Sequence, residues 1–160
     1  MSLIAFFDLE ISLEEKTILD IGSIRSDDAE FHHGHPSKFF DFISRADFLC
    51  GHNIISHDLK YLQKYKGDSN FGLERAIDTL LISPLLFPKK PYHGLLKDDK
   101  LQTEELNNPL NDSKKARDLF YDEVNAFRQL PENFKMILYG LIVQSTGFAC
   151  FFKYLEYHND

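Results

Sequence analysis

The stretch IAFFDLE near the start of the chain is an apolar run that ends in two carboxylates, and few folds accommodate such a strand. The apolar residues from Leu3 to Phe7 are typical of a strand covered on both faces, because a strand with one wet face alternates apolar and polar residues. Side chains two apart on a strand share a face, so Asp8 and Glu10 are expected to point into one small volume. Their like charges repel, so we expect a divalent cation, a nearby Lys or Arg, or exposure to water at this strand end.

The size and composition of the chain predict one domain over residues 1–160 with a large apolar core. The chain has 15 Phe and 7 Tyr, and 43% of its residues are hydrophobic, which is enough for one core. The net charge of -7 argues against a protein that coats nucleic acid or a membrane, but a nuclease that grips its substrate through metal ions also clusters acids. There is no apolar run of transmembrane length and no signal segment, so we expect a cytoplasmic protein without a membrane partner.

Strand patterns come first along the chain and helix patterns follow. The predicted strands lie in IAFFDLE, TILDIGSIRSDD, AEFHHGH and FLCGHN. The predicted helices lie in SKFFDFISRA, HDLKYLQKY, RAIDTLLISPLLF as far as Pro84, NDSKKARDLFYDEVNAF and NFKMILYGLIVQ. In the last of these, Phe134, Ile137, Leu138, Leu141 and Ile142 share one helical face. This order predicts an α/β fold in which a mixed sheet is covered by helices on both sides.

Polar residues also gather where the fourth predicted strand meets a helix, in GHNIISHDLKYL. Loops at strand ends often carry function, although Ser56 or Asp58 could equally serve as an ordinary helix N-cap. The same two interpretations apply to Asp112 at the head of NDSKKARDLF, because Asp favours the positive end of a helix. Each acid is a weak signal alone, but one edge of one sheet can bring all of them together.

Taken in order, FFDLE, GHNIISHDLKYL, AIDTLL and the acid-headed helix resemble the DEDD superfamily of 3′-to-5′ exonucleases, the DnaQ-like proofreading family. The resemblance covers about residues 3–127 and leaves 128–160 as a C-terminal helical extension. It implies a ribonuclease-H-like α/β fold with a central five-stranded mixed sheet flanked by helices. By matching position, Asp8 and Glu10 stand for the first-motif acids, Asp58 for the second and Asp112 for the third. Asp78 matches a family position that does not usually bind the catalytic metals.

The resemblance implies a metal-dependent exonuclease acting on single-stranded 3′ ends, with DNA favoured over RNA. Two Mg²⁺ or Mn²⁺ ions, bound by Asp8, Glu10, Asp58 and Asp112, would activate a water and stabilise the leaving oxygen. His52 and Asn53 are candidates for positioning the nucleotide or the strand end, although they could equally hydrogen-bond their own loop together. The segments GHNIISHD and LNNPLNDSKKARDLF also resemble exonuclease domains fused to bacterial DNA helicases, which suggests a fused or associated helicase as a partner.

One part of the family pattern is missing. The histidine-bearing branch places its general base five residues before the third-motif acid, where this chain has Asn107, and the tyrosine-bearing branch uses the place of Asn108. An amide cannot accept the proton at neutral pH. His93, in the loop FPKKPYHG, is the candidate substitute because imidazole is a common general base. The alternatives are hydrolysis without a protein base and a catalytically impaired nucleic-acid-binding or scaffold domain.

Two further groups of residues have mainly structural interpretations. The three histidines of HHGHP lie at the end of the third predicted strand, distant from the acids, so a surface turn is expected there. A set of basic residues follows the loop and heads the acid-bearing helix, where it would suit a phosphate backbone or form an ordinary solvated face. That set is Lys89, Lys90, Lys97, Lys100, Lys114, Lys115 and Arg117.

Overall fold

A computed structural model of the chain describes residues 1–95 and 108–158. Within these residues there are five strands, β1 (Ile4–Ile11), β2 (Ile18–Arg25), β3 (Glu30–His32), β4 (Phe48–Gly51) and β5 (Ala76–Asp78). The same residues contain six α-helices, α1 (Pro36–Ile43), α2 (Asp58–Lys66), α3 (Thr79–Leu86), α4 (Pro109–Gln129), α5 (Glu132–Ile142) and α6 (Ala149–Leu155). None of these helices is long and apolar enough to cross a membrane.

The strands form one mixed sheet in the order β3-β2-β1-β4-β5. The first three strands form an antiparallel meander, and β4 and β5 continue the sheet on the other side of β1 in parallel. β1 is therefore the central strand, with a neighbour on each side. The predicted α/β class, with a five-stranded mixed sheet flanked by helices, is confirmed, and it is consistent with a ribonuclease-H-like fold.

A separate apolar core fills each face of the sheet. On one face, Ile4 and Phe6 of β1 pack with residues of α3, α4 and α6. On the other face, Ala5, Phe7 and Leu9 pack with residues of α1 and α2. Since alternate side chains of β1 enter opposite cores, its apolar start has no polar position, as the sequence predicts.

The segment RAIDTLLISPLLF begins as a strand, so its predicted helical start is wrong. Residues Ala76–Asp78 form β5, which pairs in parallel with β4. All three residues are buried. A three-residue apolar strand has no periodicity that separates it from a buried helical turn, and only its pairing with a neighbour identifies it.

The predicted disturbance at Pro84 is also wrong, because α3 continues through this residue to Leu86. Proline removes one backbone donor from a helix. The helix is nevertheless held beyond it, since the backbone N–H of Phe87 donates to the carbonyl of Ser83 at 2.8 Å. At its start, the side chain of Asp78 accepts a hydrogen bond from the backbone N–H of Leu80 and caps the helix.

The two C-terminal helices use their apolar residues differently. In α5, Leu138 and Ile142 pack against the core, but Phe134, Ile137 and Leu141 are 55%, 55% and 74% exposed. Only part of the apolar face predicted for this helix therefore packs against the core, and the rest is exposed. In α6, by contrast, the residues Cys150, Phe151 and Phe152 are buried, so this aromatic helix packs into the core.

A glycine in β2 lets the first turn of α4 approach the sheet. A Cβ atom placed on Gly22 would lie 1.9 Å from the backbone nitrogen of Leu110 and 2.1 Å from the backbone carbon of Pro109. Contacts this short cannot be relieved by a side-chain rotation, because the neighbours are main-chain atoms. Gly22 also lies opposite Asp8 in the pairing of β1 with β2. The position of α4 over the sheet therefore depends on this residue having no side chain.

We expect Gly22→Ala to destabilise the protein by roughly 1–3 kcal/mol, the usual range for overpacking, because the start of α4 must move. Thermal denaturation followed by circular dichroism measures this loss. Gly140→Ala is the matched control. Gly140 lies in α5 with open space around it, so alanine should raise stability by about 0.5–1 kcal/mol. Equal melting temperatures for Gly22→Ala and wild type would contradict the close approach of α4.

A carboxyl group of α4 is buried in the core beneath the sheet. Glu123 is fully buried, and neither of its side-chain oxygens has a hydrogen-bond partner in the described part of the chain. Burial raises the pKa of Glu123 from 4.5 to about 10, and the nearby Asp78 acts in the same direction while Lys90 opposes it. The side chain is therefore protonated at neutral pH, because the neutral acid is cheaper to bury than the carboxylate.

This proton makes stability depend on pH. The unfolded chain releases it above pH 4.5 while the native protein keeps it until about pH 10, so the free energy of unfolding should fall as the pH rises between these values. Glu123→Gln removes the titrating group at nearly constant shape. We expect the variant and wild type to differ least near pH 4.5, with the variant melting relatively higher as the pH approaches 9. Parallel curves of melting temperature against pH would contradict a buried, protonated Glu123.

Candidate active site

A pocket at the end of β1 brings together most of the predicted site residues. Its volume is about 270 Å³, and its lining includes three of the four predicted acids together with His52 and Asn53. The complete lining is Asp8, Leu9, His52, Asn53, His57, Asp58, Tyr92, Leu95 and Asp112. The three acids come from β1, α2 and α4, which are distant in sequence and meet only through the fold.

Asp58 joins the start of α2 to the central strand. Its carboxylate is almost fully buried, with Oδ1 accepting a hydrogen bond from the backbone N–H of Leu9 at 2.8 Å. Oδ2 lies 3.3 Å from Nδ1 of His57. The N-cap interpretation of Asp58 is wrong, because His57 occupies the cap position and Asp58 is the first residue of the helix. Ser56, the other cap candidate, does not hold that position either.

The pKa values of Asp58 and His57 are both raised, for different reasons. Burial raises the pKa of Asp58, although the hydrogen bond from His57 opposes this. The hydrogen bond to Asp58 raises the pKa of His57, with the negative charges of Asp58 and Glu10 adding to it and partial burial opposing it. An imidazole and a carboxylate thus stabilise each other's charged forms at the mouth of the pocket.

Asp112 lies in the first turns of α4 but does not cap the helix. Asn108 is the N-cap, and its side chain accepts a hydrogen bond from the backbone N–H of Leu110 at 3.0 Å. Asp112 is free of that role and lines the pocket, where Nζ of Lys115 approaches its Oδ1 to 3.6 Å. The close contact of this turn with Gly22 sets the position of Asp112 relative to Asp8.

Glu10 is the predicted acid that does not line the pocket. It follows Asp8 on the same face of β1, as the spacing predicts, and its charge acts on His57. The structure therefore groups Asp8, Asp58 and Asp112 directly, with Glu10 at the margin of the group.

The loop that carries His52 and Asn53 is held by Asp78. The Asp78 carboxylate accepts hydrogen bonds from the backbone N–H groups of Asn53 at 2.8 Å and Ile55 at 3.0 Å, besides capping α3. Asn53 adopts a left-handed conformation with φ of 66°, which Asn tolerates better than most residues. Asp78 thus holds the backbone of this loop and the start of α3.

His52 also belongs to a buried network. The hydroxyl of Thr79 donates to the carbonyl of Gly51 at 3.2 Å and lies 2.8 Å from Nδ1 of His52. Burial lowers the pKa of His52, while the charge of Asp78 and a hydrogen bond to the backbone of His93 oppose this. Burial therefore favours the neutral form of the ring.

The predicted general base lies beside the pocket instead of in its lining. Nδ1 of His93 is 2.9 Å from the hydroxyl of Ser83 in α3, and the neighbouring Tyr92 lines the pocket in its place. His93 remains a candidate base, because its loop borders the site. Asn107, at the family's histidine position, lies outside the described residues.

Four residues that line the pocket were not predicted from the sequence: the apolar Leu9 and Leu95, and His57 and Tyr92, whose polar atoms could take part in chemistry. The latter two stood in segments already singled out, GHNIISHDLKYL and FPKKPYHG. His57 immediately precedes the second-motif acid, and that adjacency was the available signal. Nothing in the sequence distinguishes Tyr92 from an exposed loop residue, and its side chain is in fact largely exposed.

Part of the predicted basic rim forms ion pairs. Lys114 pairs with Glu30 at 2.6 Å, and Arg117 pairs with Asp28 at 3.3 Å. Lys97 and Lys100 lie outside the described residues. The paired members, all from α4, are typical of a solvated face. Of the histidines of HHGHP, His32 ends β3, where its Nε2 lies 2.6 Å from Oδ2 of Asp20, and His33 and His35 lie in the connection to α1.

The donor atoms of the pocket fit Mg²⁺ or Mn²⁺ chemically. Both are hard cations that prefer oxygen ligands, and the pocket offers three carboxylates. Among the described residues, no three His, Cys, Asp or Glu side chains are arranged so that they could hold one ion by themselves. Mg²⁺ usually keeps several waters and binds through one or two carboxylates plus substrate phosphate, so this donor set suits a site completed by water and substrate.

Comparisons of the chain with models of protein families, with curated proteins and with solved structures find no match.

The structural role of Asp58 can be separated from its charge. Asp58→Ala leaves the buried N–H of Leu9 without its acceptor and should cost roughly 1–3 kcal/mol of stability. Asp58→Asn is the matched variant, because its side-chain oxygen can still accept this hydrogen bond. We expect urea denaturation to show a clear loss for alanine and a smaller one for asparagine. If both variants lose the same stability, the bond to Leu9 does not hold the site together.

Proposed function

We propose that the protein is a metal-dependent 3′-to-5′ exonuclease that hydrolyses phosphodiester bonds at single-stranded nucleic-acid ends, with DNA favoured over RNA. The observation that carries the proposal is the convergence of Asp8, Asp58 and Asp112 on one pocket. Three acids from separate elements repel one another, and Lys115 beside Asp112 offsets part of that repulsion. A metal ion bound by the carboxylates would offset more of it. The order of these acids along the chain, and their resemblance to the DEDD pattern, supply the reaction class.

Asp8, Asp112 and Asp58, with Glu10 nearby, would hold two Mg²⁺ or Mn²⁺ ions. Such ions activate the attacking water and stabilise the leaving oxygen of the phosphodiester. The chain's own contribution is to orient the carboxylates. The hydrogen bond from the backbone N–H of Leu9 orients Oδ1 of Asp58. The close contact between Gly22 and the first turn of α4 sets the position of Asp112. Asn53, held by Asp78, and His52, which also lines the pocket, would position the terminal nucleotide.

Proton transfer has two candidate residues in this proposal. His93 is the substitute for the family histidine, although its Nδ1 is bonded to Ser83. His57 lies in the lining itself, and its hydrogen bond to Asp58 orients the ring. A candidate base must come within hydrogen-bond reach of the water, directly or through one other water, so His57 is the better placed of the two.

A nucleic-acid-binding or scaffold domain of the same fold is the second candidate function. It is favoured by the engagement of both oxygens of Asp58, with Leu9 and His57, which leaves this acid less available to a cation. Asn107 also favours the non-catalytic domain, since the resembled family has its histidine base at this position. For either function, a fused or associated helicase remains a predicted partner.

The exonuclease proposal predicts stepwise shortening of a strand. With Mg²⁺ or Mn²⁺, a 5′-labelled single-stranded DNA oligonucleotide should give a ladder on a denaturing gel, and a chelator should abolish it. Asp8→Asn should reduce the rate on the order of a hundredfold or more, because a carboxylate ligand is lost while the shape is kept.

Leu13→Ala is a suitable control, because Leu13 is an exposed residue outside the pocket lining. Cutting of a closed circular single strand at the same rate would show endonuclease action and overturn the 3′-end assignment. A folded wild-type protein that binds the oligonucleotide but leaves it intact with both metals would favour the scaffold domain.

A further inference from the structure

An aromatic and basic surface leads away from the pocket along α2. We define this surface, the α2 stripe, by His57, Tyr61, Lys64 and Tyr65. Their spacing of four, seven and eight residues from the first places them on one helical face. The side chain of His57 is 46% exposed and that of Tyr65 is 50% exposed. Because His57 also lines the pocket, the α2 stripe begins where the pocket opens.

Neighbouring members of the α2 stripe are in contact with one another. The rings of His57 and Tyr61 have centroids 5.2 Å apart at an angle of 57°. Nζ of Lys64 lies 4.8 Å from the centroid of the Tyr61 ring. Contacts of this kind limit the rotamers of exposed side chains. The stripe is therefore a partly ordered platform instead of a set of freely moving side chains.

The charge of α2 differs from that of the whole chain. The net charge of the protein is -7, but the exposed charged residues of α2 are Lys60, Lys64 and Lys66. The one acid of the helix, Asp58, is buried. Among the described residues, no ion pair involves these three lysines, in contrast to the paired lysines of α4. The outer face of α2 is thus a local positive surface next to an acidic pocket.

We propose that the α2 stripe binds the nucleotides that precede the 3′-terminal nucleotide of a single strand. Tyr61 and Tyr65 stack on the bases, and Lys64, together with the neighbouring Lys60, contacts the phosphates. The inference rests on the proposed function, because that function supplies the strand whose end enters the pocket. Unpaired bases expose faces that stack on aromatic rings, while the backbone needs cations spaced along the same path. Paired bases have no free faces, so the stripe selects single strands over duplexes.

This surface fits a single strand better than an acidic peptide. A peptide carboxylate would use the lysines but would leave the exposed ring of Tyr65 and the accessible part of the Tyr61 ring without partners. A nucleotide uses both, since each unit carries one phosphate and one base. Stacking is tolerant of sequence, so the stripe should bind strands of different composition with similar affinity.

Binding is measured by fluorescence anisotropy with a labelled oligothymidine of about 15 nucleotides, with chelator present so that no cleavage occurs. Tyr61→Ala should weaken binding about tenfold, the usual worth of one stacked base. Lys64→Gln should weaken binding and reduce its salt dependence by about one counterion.

Matched controls lie elsewhere on the surface. Lys153→Gln removes another lysine placed over an aromatic ring, that of Phe48, and Phe134→Ala removes an exposed aromatic residue of α5. Both variants should bind as wild type does. Wild-type affinity for Tyr61→Ala, or equal loss in the controls, would overturn the inference, as would equally tight binding of polyglutamate or of a blunt duplex.

Failure of the proposed function is distinguishable from failure of the α2 stripe. The p-nitrophenyl ester of thymidine monophosphate carries no neighbouring bases, so its hydrolysis by the wild-type protein with Mn²⁺ reports on the pocket alone. A wild type that cleaves the ester but binds no single strand would refute the stripe and leave the chemistry standing. A wild type that binds the strand through Tyr61 but cleaves neither substrate would support the stripe on a non-catalytic domain.

Discussion

The central place of β1, with an apolar core against each face, is the constraint on which the site depends. Both faces of this strand are covered at its start, so polar side chains can occur only at its end. Asp8 and Glu10 occupy that end, and the acids that join them come from helices that pack on opposite faces of the sheet. Asp58 arrives with α2 and Asp112 with α4. Two layers of helices therefore meet over one strand end, and the pocket is the gap between them.

The acids of the chain divide into those that hold the backbone and those that face the pocket. Asp78 accepts three backbone N–H groups and fixes the loop beside the site. Asp58 does both, because it binds the backbone of Leu9 and lines the pocket. A carboxylate that is already oriented loses little freedom when a ligand arrives, which is the advantage of building a site from structural residues.

Periodicity allowed much of the fold to be predicted from the sequence. Two-residue spacing placed Asp8 and Glu10 on one face of β1, and the order of strands and helices gave the mixed sheet with its two helix layers. β5 could not be predicted because three residues carry too little pattern, and pairing with β4 decides their conformation. The exposed side of α5 was equally hidden, since an apolar stripe in a sequence does not show how much of it a neighbour covers.

Of the residues that line the pocket, mainly the acidic ones could be predicted from the sequence. Asp8, Asp58 and Asp112 could be chosen from the sequence because their order along the chain resembles the DEDD pattern, whereas each acid alone is a weak signal. The bond from Leu9 to Asp58 could not be foreseen, since a backbone donor has no sequence signature. Whether Tyr92 lines the pocket, and whether the rings of α2 contact one another beside it, depends on the tertiary structure and has no signal in the sequence.

Gly22 has a consequence for the recognition of distant relatives. A side chain at this position would meet the backbone of α4, and the residue lies directly across from Asp8. Any chain that keeps this arrangement of acids must also keep a glycine on the strand that pairs with the first acid. A search profile that links that glycine to the Asp-x-Glu of β1 and to the Asn-Pro-x-x-Asp that opens α4 would join three elements by one steric requirement. Such a profile would recognise the architecture where overall sequence similarity has faded.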